Sequence, residues 1–188
     1  MARIILASNS PRRQELLRGL DIDFTVDTGN TFEESPEPGV EPHQVPVHMS
    51  VGKSHGFHRG LEPDEVLITA DTVVIVDGTV LGKPHSEQEA RDMLRMLSGR
   101  AHEVVTSVTI RSLAQEETFS DSTIVHFAAL TDAEIDYYIR TRKPFDKAGA
   151  YGIQEWIGYA GITSIEGSYF NVMGFPVHRV WAELRKFV

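Results

Sequence analysis

The run Val66-Leu67-Ile68-Thr69-Ala70-Asp71-Thr72-Val73-Val74-Ile75-Val76 constrains the fold more than any other stretch of the chain. Apolar and β-branched residues fill it almost throughout, which predicts a long strand. Asp77-Gly78 is a strong two-residue hairpin signal, and Thr79 to Leu81 returns. Asp71 and Thr72 break the apolar run. An aspartate there is costly to bury unless it is paired or bound to a metal, or else it lies at a strand end facing a cleft. In either case its carboxylate can hold Mg²⁺ or take a proton from water. The plainer alternative is an edge-strand aspartate facing solvent, or one satisfied by nearby backbone N–H groups.

The 188 residues suit a single domain, 1–188, with a core of its own. With 41% hydrophobic and 24% charged residues, the balance is that of a globular protein. The apolar runs are too short to cross a bilayer, and Ile4 to Ala7 stops at Ser8 without the layout of a signal peptide. A cytoplasmic protein with no membrane partner is expected. There is no cysteine, which removes disulfides and thiolate metal sites. A net charge of −9 argues against a nucleic acid polymer as partner but leaves room for one nucleotide in a local basic pocket.

Arg3 to Ala7 reads as a short buried strand, stopped by Ser8-Asn9-Ser10-Pro11. Ser10 suits a helix N-cap and Pro11 the first helical position, with Leu16, Leu17 and Leu20 on the apolar face. Residues 27–48 read as a long acidic loop, and Val47 to Phe57 as a weakly periodic helix carrying Lys53. Ser86-x-x-Glu89 is the signature of a capping box, followed by Ala90, Met93, Leu94 and Leu97 on one face and Gly99 as the stop. Glu103 to Arg111 and Thr118 to Phe127 read as strands. Thr131-x-x-Glu134 caps another helix, with Ile135, Tyr138 and Ile139 inward. Ile162 to Ile165 reads as a strand, and Pro176 begins a last helix with Val177, Val180, Trp181 and Leu184 on one face. Helices interleaved with hairpins predict an α/β fold whose twisted sheet is mixed and flanked by helices.

Four places carry candidate chemistry. In Ser8-Asn9-Ser10-Pro11-Arg12-Arg13 a turn leads into a helix N-terminus, whose free N–H groups and positive dipole end attract an anion. Arg12 and Arg13 run against the acidic preference of a first helical turn. They make sense beside a phosphate, which guanidinium binds in bidentate fashion. The second place is Asp71-Thr72. The third is Leu81-Gly82-Lys83-Pro84, where Lys83 returns towards the strand of Asp71; alone it reads as a surface lysine. The fourth is Asp146-Lys147-Ala148-Gly149-Ala150-Tyr151-Gly152-Ile153-Gln154, a loop of small residues that a ligand can approach, with Gln154 able to read a base edge. A flexible glycine loop is the equal alternative. The eight histidines show no metal-ligand spacing, and the aromatics from Trp156 to Tyr169 read as packing residues.

Together these segments resemble the Maf family of nucleotide pyrophosphatases. The matching stretches are Leu6 to Leu17, Ala70 to Val74, Gly82-Lys83-Pro84, Met96 to Gly99, Asp146 to Gln154 and Glu166 to Gly174, in family order along most of the chain. The resemblance implies a mixed α/β fold like that of the inosine triphosphate pyrophosphatases, with a deep cleft between two lobes. It implies hydrolysis of a nucleoside triphosphate to the monophosphate and pyrophosphate with a divalent cation, Mg or Mn, in an enzyme that is often a homodimer. By the same resemblance Asp71 is the catalytic acid residue, and Ser8, Arg12, Arg13, Lys53 and Lys83 line the phosphate site. Glu34, in Glu33-Glu34, and Asp71 would hold the metal. Arg12, Thr72 and Gln154 look like the branch acting on dTTP and UTP, with modified pyrimidine nucleotides within its reach. Other implied readings are a pyrophosphatase for a methylated nucleotide and a nucleotide-binding regulator of cell division at septum formation. The chain departs from the family at Asn9, in the helix Met49-Ser50-Val51-Gly52-Lys53-Ser54, and in the added Trp156-Ile157-Gly158-Tyr159.

Overall fold

The computed structural model describes residues 2–35 and 39–188, so residues 36–38 of the expected acidic loop lie outside the described residues. The strands are β1 (Arg3–Leu6), β2 (Phe24–Val26), β3 (Glu65–Val76), β4 (Thr79–Leu81), β5 (Ala101–Arg111), β6 (Glu116–Phe127) and β7 (Ile162–Glu166). They form a mixed seven-stranded sheet in the order β2-β1-β3-β5-β6-β7, with β4 paired to β3. β1 runs parallel to β2 and β3, whereas β4 on β3 and β7 on β6 are antiparallel. The flanking helices are α1 (Pro11–Arg18), α2 (Val45–His55), α3 (Glu87–Leu97), α4 (Asp132–Arg142), α5 (Trp156–Gly161), α6 (Tyr169–Met173) and α7 (Val177–Leu184). Among the described residues no helix is long and apolar enough to cross a membrane.

The chain divides into two compact units. The first comprises Met1–Asp71, Thr106–Asp121 and Gly174–Val188; the second comprises Thr72–Val105 and Ser122–Met173.

In the first unit the parallel pairing of β1 with β3 matches Ile4 to Val66 and Leu6 to Ile68. Ala7 N–H continues the ladder to the Ile68 carbonyl at 2.9 Å. The turn that leaves β1 therefore starts level with the stretch of β3 that leads to Asp71. Every residue of β3 is buried except Asp71 and Thr72, which are partly open. Crevices at the carboxyl ends of parallel strands are where open α/β sheets bind ligands. A local core of Ile5, Phe57, Leu61 and Leu67 packs under this edge. α7 buries Val180 and Leu184. The expected inward Trp181 is corrected: it is 40% exposed, with the Arg185 guanidinium over its ring at 5.7 Å. An amphipathic indole is stable in that half-open position, with its face covered by a cation.

In the second unit Asp77 and Gly78 have φ of 48° and 74°, the two positive angles a tight hairpin turn needs. α3 begins at Ser86, whose side chain accepts from Glu89 N–H. The Glu89 carboxylate accepts from His85 N–H at 2.7 Å, one residue before the partner expected in a capping box. At α4 the box closes fully between Thr131 and Glu134. Ala90, Leu94 and Leu97 of α3 and Ile135 and Tyr138 of α4 are buried. The aromatics near α5 divide: Trp156 packs edge-on against Tyr137, but Tyr159 is 85% exposed, so it is not a packing residue.

Candidate active site

The turn from β1 into α1 is built as its sequence directs. Ser10 caps the helix, accepting from Arg13 N–H, and Pro11 opens it; the first turn holds no acid. Ser8 is buried, and its Oγ accepts from Ser10 N–H at 3.2 Å. Arg13 folds back under this turn. Its Nε donates to the Gly174 carbonyl at 2.8 Å and its Nη1 to the Ala70 carbonyl at 2.9 Å, with Ser8 Oγ at 3.5 Å. One guanidinium thus fastens the helix start to the residue before Asp71 and to the start of the C-terminal segment. Burial pushes Arg13 below its ordinary value; Asp71 opposes that shift, Arg12 adds to it and Glu34 again opposes it. Arginine stays charged under such shifts, so Arg13 is a fixed positive charge in the field of two carboxylates.

α2 presents Lys53 to Asp71. Lys53 Nζ donates to Asp71 Oδ1 at 2.7 Å and stands 3.3 Å from Glu34 Oε2. Lys53 and Asp71 are mostly buried, while Glu34 is 55% exposed. Ser50 and Ser54 of this helix each have hydrogen-bond partners in this unit. Ser50 Oγ meets Ser107 Oγ at 3.0 Å and accepts from Thr109 Oγ1 at 3.1 Å, while Thr69 Oγ1 donates to the Ser50 carbonyl at 2.7 Å. Ser54 Oγ accepts from Arg111 Nε at 2.9 Å. A buried hydroxyl is tolerated only when hydrogen-bonded, and this network locks the turn of α2 that carries Lys53 against the sheet.

Glu34 is placed by a strap. Asn30 Nδ2 donates to the Lys53 carbonyl at 2.6 Å, and Asn30 Oδ1 accepts from Phe32 N–H at 2.8 Å. Thr31 N–H donates to the Gly56 carbonyl at 2.8 Å. The Phe32 ring lies where a β-carbon on Gly52 would be, 2.3 Å from Cε2, and Phe32 Cβ would meet one on Gly56 at 2.6 Å. Gly52 in α2 and Gly56 at its C-cap are thus a seat for Phe32. Sequence reasoning missed Asn30 and Phe32, though glycines recurring inside a helix are a sign of close approach.

The two carboxylates therefore converge on a single cationic point, with Lys53 Nζ standing in for a cation there. Two hard oxygen donors fit Mg²⁺ or Mn²⁺, which proteins commonly hold by one or two carboxylates while substrate phosphates and water complete the sphere. Among the described residues no group of three or more His, Cys, Asp or Glu side chains could hold a metal alone. Ser8, Arg13, Glu34, Lys53 and Asp71 all belong to the first unit, as does Arg12 in the first turn of α1.

Thr72, Lys83 and Gln154 belong to the second unit. Lys83 is exposed, and Gly149 N–H donates to the Gly82 carbonyl at 3.0 Å, joining its loop to the 146–154 segment. Gly149 has φ 67°, and a β-carbon there would meet Val74 Cγ2 at 2.8 Å, so only glycine fits against β3. Lys147 is buried, its Nζ 2.7 Å from Asp146 Oδ1 and 3.2 Å from Glu155 Oε1. Tyr138 OH donates to Glu155 and accepts from Gly152 N–H at 3.0 Å. Burial first, then Glu155, pushes the Tyr138 phenol up, so it stays protonated. Next to this cluster Gln154 Oε1 is buried without a hydrogen-bond partner. A buried amide oxygen left open is a place for a ligand donor. Tyr138 and Glu155 as supports of this loop were not legible in the sequence.

Several known proteins are similar to this chain. A dTTP/UTP pyrophosphatase of Phocaeicola vulgatus is 52% identical over 98% of this chain and 95% of its own length. A dTTP/UTP pyrophosphatase of Porphyromonas gingivalis is 51% identical over 98% and 94%. Among solved structures, the Ham1 protein of Staphylococcus aureus has 16% identity and a TM-score of 0.54 over 98% of each chain. A HAM1 protein from Coxiella burnetii has 15% identity and a TM-score of 0.52, covering 99% of this chain and 100% of that one. At such identity the likeness speaks for the fold alone, which is the mixed α/β fold described above. Residues 3–187 match the Maf family, described as Maf-like protein. The strap, the paired carboxylates and the arginine-bearing helix start are thus the features of a chain that belongs to the Maf family.

Proposed function

We propose that this chain hydrolyses dTTP, UTP and related pyrimidine nucleoside triphosphates to the monophosphate and pyrophosphate, by attack of water on the α-phosphorus. The observation that carries this reading is the convergence of Glu34 and Asp71 on one cationic point at the carboxyl end of β1, beside a helix start bearing Arg12 and Arg13. The names of the relatives support the substrate class.

The α1 N-terminus and Arg12 receive phosphate oxygens, while Arg13 adds fixed charge from below and Ser8 shapes the turn. Glu34 and Asp71 would hold a divalent Mg or Mn ion, which when bound neutralises charge on the triphosphate and its leaving group. Asp71 accepts the proton of the attacking water through a carboxylate oxygen, and Lys53 and Lys83 bind phosphate. Thr72 and Gln154 select the pyrimidine; the open Gln154 oxygen suits the ring N–H of uracil or thymine. Most of the rate comes from positioning and charge, as in other phosphoryl transfers. We take the two units as one Maf-type domain, working in the cytoplasm as a homodimer and without a nucleic acid polymer as partner.

The test is pyrophosphate release from a panel of dTTP, UTP, CTP, GTP, 7-methyl-GTP and modified pyrimidine triphosphates with Mg²⁺ or Mn²⁺. Turnover led by dTTP and UTP supports the proposal. Turnover led by the methylated nucleotide, or none while nucleotide still binds, overturns it.

A further inference from the structure

Lys53 has two possible employers. As a phosphate-binding residue it should be free to meet an incoming oxyanion. Its ammonium is instead engaged, 2.7 Å from Asp71 Oδ1 and 3.3 Å from Glu34 Oε2. Those are the two carboxylates that would hold the cation. A divalent ion held by these carboxylates competes with the ammonium for the same negative charge, because like charges a few ångströms apart repel strongly in a partly buried site. The backbone of Lys53 is clamped by Asn30 at 2.6 Å and by the Ser50 network, but its side chain has four rotatable bonds.

We infer that Lys53 is a resident counter-cation that a metal must displace, and that the displaced ammonium is then delivered to the triphosphate. Without substrate, Lys53 neutralises the carboxylate pair and keeps metal affinity low. With substrate, the phosphate oxygens offer the ammonium a new partner and the pair opens to the cation. Metal and nucleotide then bind with positive coupling, and coupling free energies are reciprocal. This rests on the assignment of Glu34 and Asp71 as the metal ligands in the proposed function.

The experiment is calorimetric titration of Mn²⁺ into the full chain, with and without α,β-methylene-dTTP, for the wild type, Lys53→Met, Lys53→Gln and Glu34→Gln. Removing the ammonium should tighten Mn²⁺ binding to the nucleotide-free chain by about tenfold or more, as loss of a competitor at contact distance predicts. The analogue should tighten Mn²⁺ in the wild type and do so far less in Lys53→Met. Circular dichroism establishes that each variant is folded, and Lys53→Gln supplies a second neutral side chain should Met disturb packing. Unchanged or weaker Mn²⁺ binding in both Lys53 variants overturns the inference. Glu34→Gln separates the two levels: if it leaves Mn²⁺ affinity untouched, the metal assignment itself fails. If it weakens Mn²⁺ while the Lys53 variants do not tighten it, only the displacement fails.

Discussion

Lys53 Nζ donates to Asp71 Oδ1 at 2.7 Å, so a helix and the long strand β3 meet through one charged hydrogen bond. Replacing Asp71 by Asn keeps an oxygen for Lys53 and removes the negative charge. Turnover should fall by about 10² or more, the scale for a positioned base. The thermal midpoint should move little. Near-wild-type kcat in a folded Asp71→Asn would remove Asp71 from the chemistry.

Gly52 and Phe32 should behave as a coupled pair. A β-carbon at position 52 would stand 2.3 Å from Phe32 Cε2, so Gly52→Ala must push the ring and with it the strap that carries Glu34. The Mn²⁺ requirement should rise several-fold. In a double-mutant cycle with Phe32→Ala, the interaction should exceed about 0.5 kcal/mol, the level at which contacting residues depart from additivity. Additive effects would mean that the ring does not transmit the change.

Gly152 sits where space is needed near Gln154. A β-carbon there would lie 3.0 Å from Lys147 Cε and 3.2 Å from Gln154 Oε1. Gly152→Ala should lower the ratio of dTTP to CTP turnover while leaving secondary structure intact. If both nucleotides lose activity equally, the loop affects catalysis rather than base choice.

His102 makes stability depend on acid. It is buried beside Phe127 and Tyr151, with Nε2 2.6 Å from Tyr151 OH and Nδ1 unpartnered. Burial, helped by His126, pushes its pKa from 6.5 down to about 4. Between those values the unfolded chain binds a proton that the folded chain refuses, so stability is lost as the pH falls from 6.5 towards 4. Urea unfolding should show a loss of up to a few kcal/mol across that window. A His102→Gln variant should show a flatter profile; an unchanged slope would place the acid sensitivity elsewhere.

Much of this fold was legible in the residues. β3 announced itself through a continuous apolar run ended by Asp77-Gly78, and α1, α3 and α4 through Ser10, Ser86 and Thr131 at their starts. β2, α5 and α6 were not, because three to six residues are too few to show a period. Trp181 misled because its spacing is that of an inward residue, whereas in the fold it is 40% exposed with the Arg185 guanidinium over its ring. Within the site, Asp71 stood out as an acid in an apolar strand. Its pairing with Lys53 and Glu34 depends on contacts across 18 residues and more, which no local pattern encodes. The departures at Ser50 and Ser54 became intelligible only once Ser107, Thr109 and Arg111 were seen to complete their hydrogen bonds.

The most direct test of the central claim is hydrolysis of dTTP in water labelled with heavy oxygen, followed by mass analysis of both products. Water guided to the α-phosphorus places the label in the nucleoside monophosphate and none in pyrophosphate. Label in pyrophosphate, or in released inorganic phosphate with the diphosphate as co-product, would contradict the account.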